Sequence, residues 1–278
     1  MNDSALSFAE FKTRYDTRLE RVFSFWTREM QDEIARHCAG WHSSRFDFRV
    51  YLERSAQRFH RAYLSLVRRR CRSVCDVGGL WGLLPVVLRD LGFDVCMTEA
   101  KSYYSEAFDP LFAFVEECGV EIMDYDPFSP DAHLGRRFDG VLLMAILEHY
   151  PHSLRGFMAN VKRLLDDDGV LYIEVPNIAY WPKRWAMLAH GATPLAPIEE
   201  IYESETPFIG HHHEFTMREL RALVRLSDLE ILQEDYFNYS VDILSVKDSL
   251  RRPWLHLVPA FVQKARECLV VVCRRTAR

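Results

Sequence analysis

The run Ser73–Glu99, SVCDVGGLWGLLPVVLRDLGFDVCMTE, constrains the fold of this 278-residue chain more than any other stretch. Ser73 to Val77 is a short apolar run of strand type, broken by Gly78 and Gly79 where a strand would turn into a helix. From Gly82 to Leu91 apolar residues recur at helical spacing, and Gly92 stands where the helix should stop. Phe93 to Thr98 is a second strand, closed by Glu99. A β-α-β unit of this kind brings backbone close to a ligand at its first turn and offers a carboxylate to a ribose at the end of its second strand.

The alternation continues downstream. Asp109-Pro110 has the form of an N-cap followed by proline at the first helical position, opening a helix that ends near Gly119. Val120 to Met123 is a third strand, running into Asp124-Tyr125-Asp126. Phe138 to Ala145 is almost wholly apolar, as suits a parallel strand buried on both faces, and leads into Ile146-Leu147-Glu148-His149. A helix is expected from Pro151, a turn at Asp166-Asp167-Asp168-Gly169, and a fifth strand at Val170 to Val175 that closes at Pro176-Asn177. Thr216 and Glu219 form a capping box ahead of another helix, and Leu229 to Phe237 is a sixth strand. Residues 240–265 read as helical despite Pro253 and Pro259, and Cys268 to Cys273 is the last strand. The expected fold is therefore α/β, a Rossmann-like doubly wound sheet of seven mostly parallel strands. Ligands of such sheets lie outside the carboxyl ends of the strands. Gly78 to Gly82, Glu99, Asp124, Glu148-His149 and Asn177 all fall at those ends.

Residues 1–70 read as a helical N-terminal extension, residues 71–177 and 214–278 as the core. The segment 178–213 mixes Tyr180, Trp181, Trp185 and Phe208 with four prolines, and leaves the ligand side of strand five. It is expected to be an insertion that covers the substrate. The formal charge of −5 argues against a broad nucleic-acid surface, and the cluster Arg68-Arg69-Arg70-Cys71-Arg72 suits a helix C-terminus, where cations are favoured. No apolar run approaches the roughly 20 residues a membrane helix needs. The start MNDSALSFAEF lacks the form of a secretory signal, and seven cysteines without paired zinc spacing read as reduced thiols of a cytoplasmic protein.

Three nucleotide-binding turns compete at Gly78. A dinucleotide fingerprint counted from Gly78 would need glycines where Leu80 and Leu83 stand, and no Gly-Lys-Ser/Thr ending supports a P-loop. What remains is Asp76-x-Gly78-x-x-x-Gly82, with Glu99 lying 21 residues beyond Gly78. With these residues the chain resembles the class I S-adenosylmethionine-dependent methyltransferases over about residues 70–275. DVGGLWG is similar to their first motif, FDGVLLMAILEHYPH to their fourth-strand segment, LLDDDGVLYIEVPN to the entry into strand five. HHHEFTMREL resembles a pattern found in branches acting on small molecules or glycans. The resemblance implies S-adenosylmethionine as cofactor and S-adenosylhomocysteine as its product. It also implies cofactor contacts from Asp76, Gly78, Gly79, Gly82, Glu99, Asp124, Tyr125 and Met144. One position departs from the family: Leu80 replaces the middle glycine, so its side chain must point away from the cofactor or the loop must take another path.

A hydroxyl acceptor needs a base, and histidine suits that role near neutral pH. The candidates are His149, which the resemblance places facing the methyl group, and His211 or His213, with Glu148 orienting a histidine or the cofactor. Adjacent histidines point in different directions, so His211-His212-His213 is not expected to ligate one metal ion. Glu214 could instead fix the tautomer of one of them, while Phe215 and Thr216 suit packing and capping. The leading expectation is O-methyl transfer to a small-molecule or sugar acceptor, by an enzyme without a nucleic-acid partner and for which a homodimer is an allowed assembly. The alternative, motivated by Leu80, is a catalytically degenerate methyltransferase-like fold kept as a binding or scaffolding partner.

Overall fold

The structure, a computed structural model, describes residues 5–129, 132–240 and 253–276, without the side chains of 253–256. The chain opens with three helices, α1 (Phe8–Phe25), α2 (Arg28–His37) and α3 (Phe48–Arg68). Ser7 and Glu10 close a reciprocal capping box at the start of α1, and Phe11, Tyr15, Leu19 and Val22 form its buried stripe at helical spacing. Thr27 and Asp47 cap α2 and α3 through their side-chain oxygens.

The alternating region follows: β1 (Ser73–Val77), α4 (Leu83–Asp90), β2 (Asp94–Glu99), α5 (Asp109–Glu117), β3 (Glu121–Asp124), β4 (Phe138–Met144), α6 (Leu154–Arg163) and β5 (Leu165–Pro176). Two helices, α7 (Trp181–His190) and α8 (Ile198–Glu203), occupy the segment after β5. Then come α9 (Met217–Leu226), β6 (Leu229–Phe237), α10 (Pro253–Phe261) and β7 (Cys268–Arg275). The seven strands lie in the order β3-β2-β1-β4-β5-β7-β6. β7 alone runs against its neighbours, pairing antiparallel with both β5 and β6. The sheet thus has the expected class, strand number and mixed character.

Both faces are covered, which is why β1 and β4 can be apolar along nearly their whole length. One core cluster joins Phe11, Leu52, Leu66, Leu88 and Phe108 to the sheet; the other joins Phe157, Val161, Leu220 and Val224. The helix α1 packs on α3, α4 and α5, so the N-terminal helices complete one face of the sheet.

Three local expectations need correction. Asp109 is the first helical residue of α5 and not its cap, because the turn Glu106–Phe108 already winds the chain and Phe108 takes the cap position. Helix α6 begins at Leu154 with Ser153 at the cap, three residues later than Pro151 suggested. Asp166-Asp167-Asp168-Gly169 is part of β5: Leu165 pairs with Phe138, and a register shift before Gly140 absorbs the extra residues. The segment 178–213 carries two helices, α7 and α8. In the expected helical stretch 240–265, α10 is present, and residues 241–252 lie outside the described residues.

The insertion is fastened to the N-terminal helices. The Glu205 and Ile209 amides donate to the Arg36 and His37 carbonyls at the end of α2, at 2.6 and 2.9 Å. Those carbonyls belong to the last turn of a helix, which has no partners of its own for them. The Ala39 amide donates to Ser204 Oγ at 2.9 Å, and Arg45 pairs with Glu203 at 2.7 Å. No helix among the described residues is long and apolar enough to cross a membrane, and all seven cysteines are unpaired.

Candidate active site

The turn after β1 takes left-handed backbone at three positions: Gly78 at φ +69°, Leu80 at +33° and Gly82 at +65°. A Cβ on Gly78 would stand 2.6 Å from Ile146 Cδ1, and one on Gly82 would stand 2.3 Å from Val115 Cγ2. Glycine is therefore required at both places by conformation and by close approach. The contact with Ile146 also seats the loop after β4 directly against this turn. Leu80 resolves its own anomaly: its side chain packs against the core beside Trp81, and its amide donates to Glu99 Oε1 at 2.5 Å. The middle position of the turn thus spends its N–H on the carboxylate at the end of β2.

Three carboxylates gather at the adjoining strand ends. Glu99 and Asp124 are register partners on β2 and β3. Glu99 Oε2 also accepts from the Tyr104 hydroxyl at 2.8 Å, and Asp124 Oδ1 accepts from the Lys101 amide at 3.1 Å. Burial pushes Asp76 up to about 8, with the neighbouring Glu99 adding to the effect. Burial likewise pushes Glu99 up to about 7 against the pull of its two hydrogen bonds. Buried acceptors held near each other are suited to a ligand that brings donors and positive charge. Each carboxylate oxygen of Glu99 keeps a second lone pair for a ribose hydroxyl. An ammonium, a sulfonium and a ribose diol fit this donor-poor, acceptor-rich set. Tyr125 differs from the expectation in one respect: its ring lies in the core with Val77 and Cys96, and its amide is used on the Glu99 carbonyl at 3.0 Å. Met144 is half-buried and packs against the core cluster of the opposite face.

Beyond Ile146 the chain turns through Leu147–His149 and meets the end of the insertion. Glu148 is 1% exposed, and neither of its carboxylate oxygens has a hydrogen-bond partner among the described residues. Its backbone carbonyl accepts from the His212 amide at 2.7 Å, fixing the two segments to each other. Burial pushes its carboxyl up to about 7, opposed by His211. The His149 Nδ1 lies 2.7 Å from the Ile209 carbonyl, so that nitrogen carries the proton. Burial, then His211, lowers this imidazole to about 4. The rings of His149 and His211 meet edge to face, with centroids 4.8 Å apart. His211 Nδ1 in turn faces Glu214 Oε1 at 2.9 Å, and Lys183 of α7 binds the other Glu214 oxygen. Although burial opposes its charge, the Glu214 hydrogen bond and the Glu148 charge raise His211 above its ordinary value.

The three adjacent histidines do diverge. His211 joins His149 and Glu148, while His212 Nε2 reaches the Phe208 carbonyl at 3.0 Å. His213 turns to Glu219 at 3.5 Å, outside the cluster. Phe215 is buried, and Thr216 and Glu219 close the capping box of α9.

One pair escaped the sequence reading. Arg58 of α3 and Glu174 of β5 form a buried ion pair, Nε to Oε1, at 2.5 Å, with side chains 4% and 1% exposed. Arg58 also donates to the Tyr51 hydroxyl at 2.6 Å and lies over the Tyr239 ring. Burial outweighs the guanidinium and leaves Glu174 above its ordinary value. A signal existed: Arg58 falls on the stripe of Ser55, Ala62 and Leu66, the buried face of α3, where a charge needs a partner.

The family model described as "Methyltransferase domain" matches residues 48–234. A polyamine aminopropyltransferase of Pyrobaculum calidifontis is 30% identical over 93 residues, which is 31% of this chain. The chain spans about a third (32%) of the length of that curated relative. Among solved structures, the fold is similar to the putative methyltransferase in complex with the Trm112 methyltransferase activator of Haloferax volcanii. There the TM-score is 0.55 at 16% identity, covering 83% of this chain and 95% of that one. It is also similar to a putative sarcosine dimethylglycine methyltransferase from Galdieria sulphuraria, with TM-score 0.53, 11% identity and coverage of 83% and 91%. With the matched domain spanning most of the chain, and with its strand order, glycine turn and acidic strand ends in place, the chain belongs to the class I S-adenosylmethionine-dependent methyltransferases.

Proposed function

We propose that this methyltransferase acts on a hydroxyl group of a small molecule or sugar, bound beneath the insertion and activated at the Glu148–His149–His211 cluster. When bound, S-adenosylmethionine supplies an electrophilic methyl group on sulfur. Asp76, Glu99 and Asp124 hold the donors of that cofactor, and the Gly78–Gly82 turn lets it approach the backbone. Ile146 links this half of the site to the other, since it touches the glycine turn and precedes Glu148 by two residues.

The observation that carries the reading is the pair of partnerless Glu148 oxygens beside two imidazoles whose Nδ1 atoms are already engaged. Polar groups buried without partners are costly, by about 1–3 kcal/mol each, and persist where a ligand completes them. A hydroxyl placed there meets acceptors able to receive its proton as the oxygen bonds to carbon. His211 is better equipped for that than His149, because Glu214 orients it and supports its charge, whereas burial leaves His149 a weak base. Methyl transfer itself asks mainly for alignment and exclusion of water. Helix α8 and the chain after it, fastened to the end of α2 and the turn beyond, support a role for the insertion in that exclusion. Seven unpaired cysteines support a reducing, cytoplasmic location, and size-exclusion chromatography reads whether two copies pair.

Calorimetry with S-adenosylhomocysteine tests the cofactor half, and its failure to bind the folded protein would refute the reading. Methyl transfer from labelled S-adenosylmethionine to a panel of hydroxyl and amine acceptors tests the other half. Product formed only on amines would replace the hydroxyl assignment.

A further inference from the structure

The Glu148–His149–His211 cluster has the composition of a metal centre as well as of a proton-accepting one. One ligating atom from each residue lies within 4.8 Å of the others. In a tetrahedral centre, two ligands each about 2.0–2.2 Å from the cation stand about 3.3–3.6 Å apart, so the widest pair closes by about an ångström as the ion binds. We propose that Glu148, His149 and His211 bind one divalent first-row transition cation, and that the acceptor's oxygen is its further ligand. The proposal draws its role from the methyltransferase reading above, but the site itself does not depend on that reading.

Two features independent of one another lead to it. The Glu148 carboxylate is buried and unpartnered on both oxygens, which leaves it the full ligating capacity of a carboxylate. Each imidazole has its Nδ1 committed, in His149 to the Ile209 carbonyl and in His211 to Glu214. Nε2 is then the nitrogen left to ligate in both rings. A backbone carbonyl on one histidine and a carboxylate on the other are the outer partners that metal-bound histidines usually have. Lys183 holds that outer carboxylate in place from α7, so the insertion helps fix the geometry.

The ligand set also selects the ion. Two imidazoles and one carboxylate suit Zn²⁺, Mn²⁺, Co²⁺ or Fe²⁺, whereas Mg²⁺ and Ca²⁺ prefer oxygen throughout. Three protein ligands leave coordination positions open, as in catalytic centres. A hydroxyl bound there loses its proton to water more readily, because the cation stabilises the alkoxide. The alkoxide oxygen then takes the methyl group, and the electrons of the carbon–sulfur bond stay with sulfur. No change of oxidation state is required. In this state His211 acts as a ligand, and the cation takes over the work of activating the hydroxyl.

The test uses the full chain freed of metal by chelation and desalting, titrated with Co²⁺ and with Zn²⁺ alone. Calorimetry should show one ion per chain, and bound Co²⁺ should give a visible d–d spectrum of nitrogen-and-oxygen coordination. Glu148→Gln and His211→Ala should each weaken binding at least tenfold, and Glu214→Gln about tenfold through loss of the outer partner. His213→Ala, lying outside the cluster, should bind as the parent does. Binding of S-adenosylhomocysteine, measured on the same samples, checks that each variant is folded and reports separately on the methyltransferase reading. If a variant does not fold, the parent's Co²⁺ spectrum and stoichiometry decide. Absence of stoichiometric binding, or equal binding by parent and Glu148→Gln/His211→Ala, overturns the proposal.

Discussion

Replacing Arg58 with methionine should destabilise the protein far more than an ordinary substitution on a helix. The change leaves Glu174 in place, 1% exposed, with no cation to balance it. Breaking a buried pair by removing one partner costs about 3–5 kcal/mol, and losing the hydrogen bond to Tyr51 belongs to the same range. Urea unfolding at pH 7, followed by circular dichroism at unchanged slope, reads this as a lower midpoint. The double variant Arg58→Met/Glu174→Met removes the stranded charge and should recover to within about 2 kcal/mol of the parent, since apolar replacements of buried pairs are often nearly neutral. A further sign comes from pH. In Arg58→Met the burial that raises Glu174 acts unopposed, so the carboxyl picks up a proton instead of remaining charged, and the deficit should shrink on going from pH 8 to pH 5. Loss of under about 1 kcal/mol in the single variant, or a double variant as unstable as the sum of its parts, would refute the reasoning.

Other outcomes follow from the acidic strand ends, the glycine turn and the caps. Asp76 near 8 and Glu99 near 7 are largely protonated at pH 6 and must ionise to hold a cofactor rich in donors. Calorimetry should therefore find S-adenosylhomocysteine binding tightened at least about tenfold between pH 6 and pH 8, the tenfold being the rise in ionised Glu99 alone, and a flat profile would remove Glu99 from the site. In the cofactor-free protein the sign is opposite. Folded-state values raised above the ordinary carboxylate range contribute stability that is complete below about pH 4 and lost as pH rises through 7 to 8. Gly78→Ala forces a Cβ against Ile146 at a left-handed position, so thermal unfolding should register a loss of about 1–2 kcal/mol and cofactor binding should weaken. Thr216→Ala opens the capping box of α9 at a cost of about 1 kcal/mol in the same assay, with methyl transfer retained; a silent substitution would show that the box is decorative.

The parts legible in the sequence are those encoded by contiguous residues. The β1-α4-β2 unit, the apolar β4 and the Thr216 box all carry their signals within a few residues, and the structure places them where those signals do. Asp166-Asp167-Asp168-Gly169 misled because turn formers can also sit in a bulge when the neighbouring strand holds the register, and only Phe138–Leu165 pairing reveals that. Arg58 and Glu174 are 116 residues apart, and neither names its partner. The same holds for His211, which the sequence offers as a base on equal terms with His213 until Glu148 and His149 arrive beside it from the end of β4. Leu80 was legible as an anomaly but not in its resolution, which depends on an amide reaching Glu99 across the turn.

The backbone of Ile209 has a place in this fold that its apolar side chain does not advertise. Its N–H reaches the His37 carbonyl and its C=O receives the His149 imidazole. The two peptide groups flanking a single Cα thus join residues from the first seventh of the chain, its middle and its later part. A nascent or partly unfolded chain that has not docked its amino-terminal helices lacks one end of that bridge, and the imidazole loses the support that fixes its proton. The cluster at the end of β4 is in this way complete only when the N-terminal helices, the insertion and the sheet are all in place.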